Sequence, residues 1–223
     1  SDDTGLVVLT TPSNPTGQVY DAVATDAVVA AAADHGAAVV ADEVYKHLVY
    51  DGDGRSVVDT TPHPDHVVTL GSCSKTYAMT GWRVGWLATE SSVVDETTKI
   101  RESTTASTPT PSQHAAIAAL EGPQAPVREM QTAFRERRDY VTDRLAEMDG
   151  VKASRSQGAF YAFLDPEGYD DSTALAKALV TEAGVVFAPG AGFGDAGEGK
   201  LRLSYANSLD RLETGLDRLD AYL

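Results

Sequence analysis

The sequence predicts an α/β protein, a mostly parallel sheet with flanking helices followed by a smaller α+β domain. Three observations carry this expectation. Short apolar runs of strand length alternate with helix-patterned stretches, the arrangement that builds a parallel sheet. Turn residues close each run. From residue 151 onward the order changes to strand, helix and then two strands and a helix. The 223 residues, 42% of them hydrophobic, suffice for one large domain or for one domain with a small second one.

Leu6-Val-Val-Leu-Thr10 reads as a short buried strand, ended by Pro12 and the Asn14-Pro-Thr-Gly17 turn. Asp21 to Asp34 is rich in Ala and Val at helical spacing, with Gly36 as its C-terminal stop. Ala37 to Ala41 is a second buried strand with Asp42 at its carboxyl end. Asp51-Gly-Asp-Gly54 is a surface turn, and Pro62 and Pro64 mark another loop. His66 to Leu70 is a third strand and Trp82 to Ala88 a fourth. Ser91 to Thr105 and Ser112 to Leu120 read as helices. Pro126 opens a long amphipathic helix to about Met148, marked by Val127, Met130, Phe134, Val141, Leu145 and Met148 near a 3.6-residue period. Beyond it lie a strand at Ala159 to Leu164, a helix at Thr173 to Ala183, strands at Val185 to Phe187 and Leu201 to Ser204, and a last helix from about Leu209. No repeat or low-complexity tract is present.

The net charge of −15 argues against nucleic acid and against anionic membranes as partners. No apolar stretch is long enough to cross a bilayer. The acidic start, Ser1-Asp-Asp-Thr4, does not have the form of a targeting peptide, so a cytoplasmic setting is expected. Asp exceeds Glu and Arg exceeds Lys, a balance met in proteins of a high-salt cytoplasm and also in ordinary acidic soluble ones. The single cysteine, Cys73, has no partner for an internal disulfide and reads as a small filler residue. His35, His47, His63, His66 and His114 show no metal-ligand spacing, and no metal is expected.

Ligands of parallel sheets bind at the carboxyl ends of the strands, where Asn14, Asp42 and the segment from Ser72 to Lys75 fall. The segment Gly71-Ser-Cys-Ser-Lys-Thr-Tyr-Ala-Met-Thr-Gly-Trp-Arg-Val-Gly85 follows the apolar run Val67-Val-Thr-Leu70. A lysine there, with hydroxyls before it and an arginine eight residues after it, suits a Schiff base beside a phosphate. Lys75 would supply the amine, and Ser72, Ser74 and Arg83 the anion contacts. The rival reading, a nucleotide-binding P-loop, requires glycine directly before the lysine, where this chain has Ser74.

Asn14-Pro-Thr-Gly17, Asp42-Glu-Val-Tyr45, the Lys75 segment and Arg202-Leu-Ser-Tyr-Ala-Asn207 occur in this order along the chain. In order and spacing they resemble the fold-type I, pyridoxal-phosphate-dependent aminotransferases of classes I and II, from Leu6 to the C-terminus. The resemblance implies that residues 1–125 form part of the cofactor-binding large domain, with its mostly parallel mixed sheet. Residues 126–150 would be the linking helix and 151–223 the small α+β domain. It implies pyridoxal 5′-phosphate held by Lys75, which also moves the proton between substrate Cα and cofactor. Asp42 is expected at the ring nitrogen, Asn14 and Tyr45 at the ring oxygen, and Ser72, Ser74 and Arg83 at the phosphate. Arg202, with Asn14, is expected at the substrate α-carboxylate. Pro189-Gly-Ala-Gly-Phe-Gly194 resembles the family's loop just before the Arg202 strand, without a catalytic role, and Gly158-Ala-Phe-Tyr161 also matches a family pattern, as strand packing near the pocket. Amino acid and 2-oxo acid substrates follow, with aspartate and 2-oxoglutarate first, and so does a homodimer.

Members of that family begin earlier, with a phosphate-holding turn and an aromatic ring over the cofactor. Their absence here is expected to leave apolar surface and an open sheet edge. It also leaves room for a further segment or chain, or for an inactive fragment. A lyase of the same fold is a separate rival, because Arg202 fits any member that binds an amino acid carboxylate.

Overall fold

A computed structural model describes residues 3–52 and 54–223. Ser1 and Asp2 of the acidic start, and Asp53 of the expected surface turn, lie outside the described residues. The chain divides into two compact units. One takes in the chain up to Pro12 and Val19–Glu129. The other comprises Ser13–Gln18 and Met130–Leu223.

The first unit is built on a four-stranded sheet of β1 (Leu6–Thr10), β2 (Ala38–Asp42), β3 (Val67–Ser72) and β4 (Gly85–Ala88), in that spatial order. The first three strands are parallel, and β4 returns antiparallel to β3. This is the α/β class that the alternation predicts. Helix α1 (Ala22–Asp34) joins β1 to β2. Asp21 caps its start, accepting the Ala24 N–H at 2.8 Å. Its last carbonyls are met by a turn through Gly36 at φ +68°, a conformation that glycine adopts without a Cβ clash.

Alternation places Val7, Leu9, Val39, Ala41 and Val67 on one face, packed with Val29 and Ala32 of α1 and with Val57. Val57 opens the single-turn helix α2 (Val57–Thr60). The other face is less covered. Leu6 is 54% and Val8 65% exposed there, on the edge strand β1. Trp86, opposite Gly71 on the first face, is 45% exposed at the other edge. That agrees with the expected open edge and exposed apolar surface.

One strand expectation is corrected here. Trp82 to Ala88 is not extended throughout. Thr80–Trp82 forms a 3₁₀ turn and Arg83 is left-handed at φ +54°, so pairing begins only at Gly85. Between β3 and that turn lies the short helix α3 (Cys73–Thr76). Helices α4 (Ser91–Thr104) and α5 (Thr110–Glu121) follow, and Ala116 of α5 packs with buried Cys73 and Met79. The long helix α6 (Ala125–Glu147) matches its predicted span to within a residue, with Phe134, Val141 and Leu145 buried.

The second unit is an antiparallel sheet in the order β5 (Val151–Ala153), β6 (Tyr161–Pro166), β8 (Leu201–Ser204), β7 (Ala188–Pro189). Helices α7 (Ser172–Ala178) and α8 (Leu209–Asp220) complete it, and α8 buries Leu212, Leu216 and Leu219 at helical spacing. β5 is a strand that the sequence pattern did not signal. The strand expected at Val185 to Phe187 lies instead at Ala188–Pro189, because the ladder to β8 starts at Ala188↔Arg202. The helix expected to Ala183 is α-helical only to Ala178 and closes in a π-helical turn, Leu179–Ala183. Among the described residues, no helix is long and apolar enough to cross a membrane.

Candidate active site

In the first unit, parallel register sets Asp42 opposite Leu70, so the end of β2 stands beside the strand that runs on to Lys75. Asp42 is half-buried, and its carboxylate accepts the Val44 N–H at 3.2 Å, which starts the tight turn carrying Tyr45. Tyr45 is 4% exposed. The Lys75 ammonium lies 5.7 Å from the centre of its ring, a cation–π distance. Lys75 is itself half-buried rather than extended into solvent. The structure therefore brings Asp42, Tyr45 and Lys75 to one end of one sheet, as the strand-end argument requires.

The loop after β3 holds the expected anion contacts. Ser72 caps α3: its hydroxyl accepts the Ser74 N–H at 3.0 Å and donates to the Val84 carbonyl at 3.1 Å. A phosphate seeking that proton would draw it from Val84. Arg83 is exposed, with Nη1 donating to the Thr80 carbonyl at 3.0 Å. Ala78 and Arg83 both have positive φ, at 53° and 54°, a conformation that costs about 1 kcal/mol or more for residues with a Cβ. Such backbone concentrates where a loop is shaped for a ligand. Cys73 is buried, and burial pushes its thiol pKa up, which fits a packing role rather than a nucleophile.

Asn14 and Arg202 belong to the second unit and meet there. Arg202 Nη1 donates to Asn14 Oδ1 at 2.7 Å, which leaves the Asn14 amide nitrogen to donate elsewhere. The guanidinium lies between two rings, 4.5 Å from the centre of Tyr161 and 4.8 Å from that of Phe193. Its Nε is buried without a hydrogen-bond partner. A guanidinium oriented by the Asn14 amide and by two nearby rings is suited to a planar carboxylate. The sequence reading placed Tyr161 only as strand packing near the pocket and gave the loop of Phe193 no role at all. The available signal was an aromatic residue in the Gly-rich loop ahead of β8 and another at the start of β6.

The Asn14 turn is anchored within the same unit. The Gly17 carbonyl accepts the Gln157 and Gly158 N–H groups at 2.9 and 2.8 Å. The buried Arg138 of α6 donates to the Ser156 carbonyl at 2.8 Å and pairs with Asp139 at 2.6 Å. The Thr11–Pro12 and Asn14–Pro15 bonds that enclose the entry to this turn are cis. Among the described residues, no cluster of three His, Cys, Asp or Glu side chains could hold a metal ion.

A family profile described as aminotransferase class I and II matches residues 1–219. The aspartate aminotransferase of Geobacillus stearothermophilus is 36% identical over 99% of this chain and 58% of its own length. The asparagine–oxo-acid transaminase of Streptococcus mutans is 35% identical over the whole chain and 58% of its own length. Among solved structures, Thermus thermophilus aspartate aminotransferase with maleate superposes with a TM-score of 0.93 at 35% identity, covering 100% of this chain and 58% of that one. An aromatic aminotransferase of Pyrococcus horikoshii gives 0.93 at 33%, covering 100% and 61%.

Fold and sequence thus agree on a class, the α/β transferases built on this sheet and its antiparallel companion. Within it, the chain belongs to the class I and II aminotransferases, a pyridoxal-phosphate-dependent family. The chain spans less than two thirds of the length of these relatives.

Proposed function

We propose that this polypeptide carries the cofactor-anchoring and carboxylate-binding residues of an amino-acid aminotransferase. The observation that carries the reading is the grouping of Asp42, Tyr45 and Lys75 at adjacent strand ends. Donor chemistry fits pyridoxal phosphate: an amine for its aldehyde, a carboxylate for its ring nitrogen, a phenol for its ring oxygen, and two serines and an arginine for its dianion. When bound, the cofactor supplies an electron sink for the substrate Cα.

The chain's own residues would divide the work as follows. Lys75 Nζ would hold the cofactor's aldehyde and would also be the base that takes and returns the substrate Cα proton. Asp42 keeps the ring nitrogen protonated. Tyr45 would donate to the ring oxygen and favour its anionic form. The same role is proposed for the Asn14 amide from the family resemblance alone. Arg83, Ser72 and Ser74 hold the phosphate, a task that needs local cations in a chain of net charge −15. Arg202 fixes the substrate carboxylate in the fork geometry that lysine cannot reproduce.

Relatives named as aspartate aminotransferases support aspartate as the first substrate to assay, and 2-oxoglutarate as acceptor and a homodimer are proposed with it. The exposed apolar residues of the first sheet agree with a covering partner.

The test is spectroscopic. Wild-type chain mixed with pyridoxal phosphate should develop the visible absorbance of a lysine-linked cofactor, and borohydride should fix the cofactor's mass on Lys75. Lys75→Ala should lose both signals. A variant that forms the same reducible adduct would refute the assignment. Assay of keto acid together with a regenerated second amino acid separates transamination from lyase chemistry on the same fold.

A further inference from the structure

Between Asp42 and Tyr45 lies a carboxylate that the cofactor chemistry does not use. Glu43 is 5% exposed, yet its acceptors are filled. Oε1 accepts the Val57 N–H at 2.8 Å and the Ser56 hydroxyl at 2.8 Å, and Oε2 lies 2.7 Å from the same hydroxyl. The Lys46 ammonium stands 3.6 Å from Oε2. The Glu43 backbone is tied as well, its N–H donating to Leu70 at 3.0 Å and its carbonyl accepting from Lys46 at 2.9 Å. Glu43 therefore joins three segments: the end of β3 leading to Lys75, the start of α2, and the turn that bears Asp42 and Tyr45. A buried carboxylate is costly unless its oxygens are satisfied, so these donors define where it can sit.

We propose that Glu43 is a positioning residue for Asp42 and Tyr45. Clamped to Ser56 and Val57, it fixes the turn that aims both groups, and through them it sets the proton affinity of cofactor-bound Lys75. The inference rests on the cofactor reading above.

The experiment compares wild type with Glu43→Ala, Glu43→Gln and Ser56→Ala. Each chain is titrated with pyridoxal phosphate, its cofactor absorbance is followed across pH, and borohydride with mass spectrometry scores attachment at Lys75. Glu43→Ala is expected to attach the cofactor still, with a dissociation constant raised about tenfold, because binding must then re-order the loosened turn of Asp42 and Tyr45. Its spectral midpoint should shift along the pH axis. Glu43→Gln, whose amide can accept from Val57 and exchange a bond with Ser56, should stay close to wild type. Ser56→Ala should move in the direction of Glu43→Ala, by less.

A purely structural role would lower the melting temperature and leave the midpoint in place. Glu43→Ala with unchanged midpoint and affinity overturns the proposal, as does Glu43→Gln displaced as far as Glu43→Ala. Should Glu43→Ala fail to fold, Ser56→Ala decides, and a wild-type midpoint in that variant overturns the proposal. A wild-type chain with no adduct brings down the cofactor reading and this inference with it, a result told apart from the others by wild type alone.

Discussion

Gly17 shows how much a single residue can fix. It has φ +68°, and a Cβ there would lie 2.6 Å from Ser156 Cβ and 2.8 Å from the Gly158 carbonyl oxygen. The carbonyl of the same residue receives two N–H groups from residues 157 and 158. Left-handed backbone and a closed space together exclude any larger side chain. Gly17→Ala should destabilise its unit by roughly 1–3 kcal/mol, read as a lowered urea midpoint. An unchanged midpoint would mean that the turn is not clamped in this way. Gly71 is bounded similarly, since a Cβ there would overlap the Trp86 indole across the β3–β4 pair. Neither constraint is visible in the sequence, where both glycines read only as turn or loop residues. The chemical residues were legible for the opposite reason. Lys75, Asp42 and Arg202, the residues proposed for the chemistry, carry their functional groups in their own side chains, and short local motifs single them out.

At the scale of elements, Glu198 links two pieces of the second unit. Its Oε1 accepts the Ser172 N–H at 2.8 Å, the Ser172 hydroxyl at 2.7 Å and the Gly199 N–H at 3.2 Å. Ser172, at the start of α7, in turn accepts the Ala191 N–H at 3.1 Å through its hydroxyl. The loop bearing Phe193 is thereby attached to α7. The Ser172 backbone and hydroxyl and the Gly199 N–H favour the ionised carboxylate and hold its pKa below the ordinary 4.5. On acidification the unfolded chain therefore takes up this proton before the folded one does. The stabilisation is fully present above about pH 4.5 and is lost as pH falls through the lower folded-state value. Glu198→Gln should flatten this part of the acid-stability profile, followed by circular dichroism between pH 6 and pH 3 (about the carboxylate range). An unaltered profile would show that Glu198 contributes nothing to acid sensitivity.

The long-range order of elements was readable because α6 and α8 state their periodicity over many residues, while α1 is marked by its Ala-rich composition and its terminal signals. The short pieces were not. β5 has three residues and β7 two, so each exists only through its ladder, to β6 and β8 respectively. Val185 to Phe187 has the composition of a strand without the partner, and composition alone misplaced it.

For the whole molecule, charge is the dominant property. A net −15 on 223 residues sets up self-repulsion that salt screens. Raising ionic strength from about 0.1 M to about 1 M shrinks the screening length from about 10 Å to about 3 Å. The melting temperature should rise over that range in KCl. A flat or falling response would show that local ion pairs such as Arg144–Asp217 outweigh the global repulsion. The exposed Leu6 and Val8 belong to the same scale, since they describe a sheet whose second face is only partly covered.

By itself the sequence determined the α/β class, the order of the principal elements, the family, and the chemical groups offered at the strand ends. Those follow from local information: hydrophobic period, turn residues, and side-chain functional groups at fixed spacing. Tertiary structure alone decided which groups meet. The parallel register of β2 with β3 brings Tyr45 under Lys75, and the fold of the second unit places two aromatic rings against Arg202. It also turned Glu43 from one acidic residue among many into a buried clamp. Contacts between residues distant in sequence depend on register and packing, which no local pattern encodes.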